Sequence, residues 1–93
     1  MIAIGDIYED CAFHPVRCEG VEDEDGDVAV WGVSMIDGTR PRSCSLSHCG
    51  VIKLTEDEAQ RRIEAYKADG KRGLYRVGGV GEAQIDEWLN TPE

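Results

Sequence analysis

The sequence predicts an α+β domain: a small antiparallel sheet or partly closed β-barrel of four to five strands, one main helix over about residues 55–69, and a short C-terminal helix. Three observations carry this. Apolar, β-branched runs separated by turn residues occupy the chain up to Leu54, Thr55-Glu56-Asp57-Glu58 has the composition of a helix start, and Ala59, Ile63 and Tyr66 then recur at helical spacing.

The first strand is expected over Ile4–Tyr8, pairing beside Val51-Ile52-Lys53-Leu54. Between them, Val16–Val21 and Val28–Val33 flank Glu22-Asp23-Glu24-Asp25-Gly26-Asp27 and read as a β-hairpin. Asp25-Gly26 supplies two residues that tolerate positive φ, and the valines fit a pleated, half-buried surface. By the period-two rule Cys18 shares a strand face with Val16 and belongs to the core. Thr39–Leu46 reads as a further short strand that Pro41 confines to an edge, because proline has no amide to donate to a ladder.

The helix starts on a capping box, in which the Thr55 hydroxyl accepts from the Glu58 amide and the Glu58 carboxylate reaches back. Gly70 is the expected stop. Leu74–Val77 then reads as a strand, and Ile85, Trp88 and Leu89 as one face of a second helix. Gly78-Gly79-Val80-Gly81 reads as a flexible linker, since a dinucleotide fingerprint would need glycine where Gln84 stands and no Walker lysine follows. Trp31, Ile52, Leu54, Ile63, Tyr66 and Trp88 are the expected core contributors.

With 93 residues the chain is read as a single domain, β-rich through 54 and helical or mixed from 55, with a core that leaves little to spare. Hydrophobic residues at 41% separate it from disordered acidic tails, which hold fewer. The N-terminus lacks the basic and apolar regions of a signal peptide and no stretch has the length of a membrane span, so the expected address is cytoplasmic, with no membrane partner. In a reducing compartment the four cysteines are expected as thiols or metal thiolates before disulfides.

Charge is unevenly spread. The chain carries −9, and residues 1–30 hold nine carboxylates against Arg17 alone. A field of that sign attracts basic surfaces and repels phosphate, so direct nucleic-acid binding is not expected. Arg40, Arg42, Lys71, Arg72 and Arg76 are the only basic residues grouped enough to suggest a phosphate patch, and solvating the surface or pairing with neighbouring acids is the expected fate for them.

The leading functional expectation is a non-enzymatic protein-binding module that engages a basic protein surface through Glu19, Glu22, Asp23, Glu24, Asp25 and Asp27, in the manner of immunity or inhibitor proteins that present carboxylates where a partner expects phosphates. A calcium loop fails there, with Val21 at a ligand position and Gly32 where the closing glutamate belongs. The alternative is a structural zinc module using Cys11, His14, Cys44 and Cys49, since zinc takes four thiolate or imidazole ligands at short spacing, although neither Cys/His group forms a C-x-x-C knuckle. No other cofactor is expected. A cysteine enzyme using Cys44 or Cys49 is a third reading, which the adjacency of His48 and Cys49 does little to support.

Overall fold

Asp25 and Gly26 both take positive φ, +53° and +85°, the backbone twist that suits a two-residue hairpin turn. The turn is therefore tighter than the six-residue acidic stretch suggested, and the acids on either side lie on strands. The computed structural model describes residues 1–47 and 50–91; its strands are β1 (Ile7–Glu9), β2 (Pro15–Glu24), β3 (Asp27–Ser34), β4 (Cys44–Ser45) and β5 (Ile52–Leu54), followed by α1 (Glu56–Val77) and α2 (Glu82–Asn90).

The strands form one antiparallel sheet in the order β4-β3-β2-β1-β5. The sheet is open: β4 and β5 lie on opposite edges and do not pair. The expected strand over Thr39–Leu46 shrinks to Cys44–Ser45, with the Arg40-Pro41 bond cis and the loop tied to β3 by single hydrogen bonds such as Arg42 N–H to Gly32 carbonyl at 3.1 Å. The first strand begins only at Ile7, leaving Ile4 71% exposed.

One sheet face buries Tyr8, Val16, Cys18 and Val30 together with Ile2 and Cys44, under cover from Leu46 and Val51. The other buries Ile7 and Leu54 against Ala59 of α1. Cys18 thus shares the core face with Val16, as its parity requires. Of the other expected core residues, Leu54 is buried, Trp31, Ile63 and Tyr66 are half-buried, and Ile52 and Trp88 are exposed. Ile52 is exposed because β5 is an edge strand and α1 leaves the sheet from its far end; Trp88 packs at the periphery between the helices.

The Thr55 capping box forms, with the Glu58 amide 3.1 Å from the hydroxyl and the Thr55 amide 2.9 Å from the carboxylate. Gly70 does interrupt the helix, at φ +60°, ψ −143°, but the chain resumes helical geometry and runs to Val77. Leu74–Val77 is therefore helical and not a strand. Its side chains explain why: Leu74 is fully buried and Tyr75 meets the Phe13 and Trp88 rings edge to face, so tertiary packing outweighs the short alternating pattern. The expected flexible linker is an ordered helix stop, in which Val80 N–H reaches the Tyr75 carbonyl at 3.0 Å and Gly79 N–H the Arg76 carbonyl at 3.1 Å, with Gly79 at φ +92°.

Candidate functional site

Two regions concentrate polar side chains. The first is the β2–β3 hairpin. A β-bulge at Glu19 changes the parity of β2: Cys18 pairs with Gly32, Gly20 pairs with Trp31, and Glu19 is left over. Beyond the bulge Val21 and Asp23 therefore lie on the Cys18 face, while Gly20, Glu22 and Glu24 share the opposite face with Trp31, Ala29 and Asp27.

Glu22, Asp23, Glu24 and Asp25 are all exposed, and none has a lysine or arginine at ion-pair distance among the described residues. Asp23 instead accepts the Gly26 amide at 3.1 Å and so braces the turn. Asp27 accepts from the hydroxyls of Ser45 and Ser47 at 2.9 and 2.7 Å, and Glu19 lies 3.8 Å from Arg40. Many acids elsewhere are neutralised: Asp6 by Lys53, Glu9 by Arg62, Asp10 and Asp37 by Arg42, Glu56 by Arg17, Asp69 and Glu82 by Arg76, Asp86 by Arg72. The grouped basic residues Arg40, Arg42, Arg72 and Arg76 are thus engaged with acids.

The second region is a cavity of about 250 Å³ between the loops at one end of the sheet and α1, lined by His14, Asp37, Arg42, Tyr66, Lys71 and Tyr75 among others. Asp10 organises its floor: its carboxylate accepts the amides of Ala12 and His14 at 3.0 and 2.9 Å and lies 3.5 Å from Arg42 Nη1. Arg42 Nη2 is 3.2 and 3.4 Å from the two ring nitrogens of His14, a position over the ring, and 3.6 Å from Asp37. His14 Nδ1 is 2.8 Å from the Ser34 hydroxyl, which itself accepts the amides of Ile36 and Asp37. These contacts fasten the turn after β3. Burial, and after it the charge of Arg42, holds the His14 imidazole below its ordinary pKa, and hydrogen bonding by the Thr39 hydroxyl pulls Asp37 down to about 2.

Beside this cavity Phe13, at φ +68°, inserts its ring between the helices, with centroids 5.6 Å from Tyr75 and 6.3 Å from Trp88. A Cβ on Gly78 would come within 2.4 Å of the Phe13 ring, so glycine there is what lets the loop dock. The convergence of Phe13, Asp10, Arg42 and Tyr75 is not legible in the sequence because it draws on segments far apart in the chain. The one local signal is Asp10, whose side chain caps the amides two and four residues on.

The four expected zinc ligands fall in different settings. Cys11 is exposed, His14 is committed to Ser34 beneath Arg42, Cys44 is buried in the core with Tyr8 and Val16, and Cys49 lies outside the described residues, as does His48. Among the described residues no three of His, Cys, Asp or Glu are grouped to hold a metal ion, and no helix is long and apolar enough to cross a membrane. Cys18 is buried, its thiol pKa raised by desolvation. Compared with family models, curated proteins and solved structures, the chain matches none.

Proposed function

We propose that this protein is a non-enzymatic binding module that docks a basic protein surface on its β2–β3 hairpin. The observation that supports the reading is the distribution of ion pairs. Among the described residues, Glu22, Asp23, Glu24 and Asp25 stand together at the end of a folded ladder with no lysine or arginine at ion-pair distance, while acids around the rest of the sheet are matched to lysine or arginine. Uncompensated charge on a rigid projection gives a directed field, which steers encounter with a basic partner and weakens as salt screens it. Inhibitor or immunity-type action, with carboxylates in place of phosphates, is one form such docking takes.

The test is fluorescence anisotropy of a labelled arginine- and lysine-containing peptide against the wild type and the variant Glu22→Gln/Asp23→Asn/Glu24→Gln/Asp25→Asn. Asn at position 23 keeps the acceptor that braces the turn. The expected result is salt-sensitive binding that the variant loses by about tenfold or more. Equal binding by the two proteins overturns the reading.

A further inference from the structure

We infer that the Trp31 face of the hairpin holds an arginine side chain of the basic partner, the guanidinium stacking on the indole while the adjacent Glu22 accepts its hydrogen bonds and Glu24 adds negative charge beyond it. The inference rests on the reading that the hairpin docks a basic protein, and it names what that docking recognises.

The bulge at Glu19 is what builds the platform. It places Gly20 directly opposite Trp31 on the same face, and the indole lies across the glycine: a Cβ built on Gly20 would come within 2.1 Å of Trp31 Cζ2 and 2.2 Å of Cε2. With a side chain at position 20 the ring would have to stand away from the sheet. Held down in this way, Trp31 is half-buried, and no second aromatic ring or cation of the described residues packs on it. Of the buried side chains of α1, Ala59 packs against Ile7 and Leu54, at the other end of this face.

The register then sets what stands beside the ring. The next cross-strand pair on this face is Glu22–Ala29 and the one after is Glu24–Asp27, so carboxylates follow the indole at steps of roughly 7 Å with only a methyl group between them on β3. An exposed aromatic face attracts a cation, and a guanidinium is the cation whose flat shape stacks on a ring while its edge N–H groups reach carboxylates in the same plane. Lysine offers a point charge and no second face. Charge complementarity therefore selects a basic side chain, and the flat indole selects arginine among them.

Two labelled octapeptides of Gly and Ser test this, one carrying three arginines and the other three lysines at the same positions. Affinity is read by anisotropy, and the indole Nε1–H resonance of Trp31, assigned as the one that remains in Trp88→Phe, is followed during each titration. The arginine peptide is expected to bind about threefold tighter than the lysine peptide. It should shift the Trp31 resonance at saturation, and Trp31→Leu should remove the preference. The wild-type titrations carry the test even if that variant folds poorly. An unmoved indole resonance, or no preference between the peptides, overturns the arginine site; if binding of both peptides still depends on Glu22–Asp25, the docking reading survives it. Binding of neither peptide overturns both.

Discussion

Arg62 of α1 and Glu9 of β1 meet across the joint between helix and sheet, the guanidinium Nε donating to the carboxylate while Nη1 donates to the Glu58 carbonyl at 3.0 Å. Both side chains are nearly buried, 10% and 11% exposed. Removing one partner strands the other charge away from water, so Arg62→Ala or Glu9→Ala is expected to lower unfolding free energy by about 3 kcal/mol, read by urea denaturation. The double change Glu9→Ala/Arg62→Ala should cost less than the two single losses together. Additive losses would show that the two side chains act independently.

Gly70 gives a case in which helix propensity and backbone geometry predict opposite signs. Alanine is favoured over glycine in a helix interior by about 1 kcal/mol. At φ +60°, ψ −143°, however, a Cβ-bearing residue is strained, and the space around the position is otherwise open, so the conflict is one of backbone alone. Gly70→Ala is expected to destabilise by about 1–2 kcal/mol in urea unfolding. A gain in stability would mean that α1 runs straight through this position in solution.

What could be read from the sequence was what is decided within a few residues. The Asp25-Gly26 turn, the Thr55–Glu58 capping box and the second helix after Gly81 depend on local backbone chemistry, and each formed. Gly70 breaks the helix without ending it, because the return of the chain depends on Gly73 passing close to the Ala65 carbonyl, where a Cβ would lie 2.2 Å away. Period-two parity holds from Val16 to Cys18 but cannot be carried past Glu19. The bulge shifts the parity of everything after it, and nothing in the residue pattern marks the bulge except Gly20, whose role is visible only once Trp31 lies over it. The polar cavity was illegible for the same reason: His14, Arg42 and Lys71 come from three separate segments. The acidic hairpin was legible because its residues are contiguous.

The cysteines should differ sharply in reactivity. Cys11 is exposed, whereas Cys18 is 1% exposed with its thiol pKa raised by burial, and Cys44 is 4% exposed in the same core. Thiolate, not thiol, attacks alkylating reagents. Maleimide labelling at neutral pH with peptide mass mapping is expected to modify Cys11 within minutes and to leave Cys18 and Cys44 unmodified until urea is added. Rapid labelling of Cys18 in the folded protein would contradict the burial of that strand face.

His14 should make stability depend on pH in a definite direction. Burial is the first cause of its lowered pKa and Arg42 the second; Lys71 acts in the same sense, while Asp10 and Asp37 oppose it without prevailing. With the folded value below the ordinary 6.5, the unfolded chain binds more protons in the interval between them. Stability is then full above that ordinary value and falls as pH drops through it towards the folded one, where the loss levels off. Asp37, held down to about 2, adds a separate loss further into acid, from its ordinary 3.8 downward. The urea midpoint is therefore expected to decline as the pH falls through and below the ordinary 6.5 in the wild type, and His14→Gln should flatten that decline, because the variant has no proton to take up. Comparing the two proteins isolates His14 from His48, which both retain. A midpoint that rises on acidification over this interval would mean that the acids, not Arg42 and burial, control the imidazole.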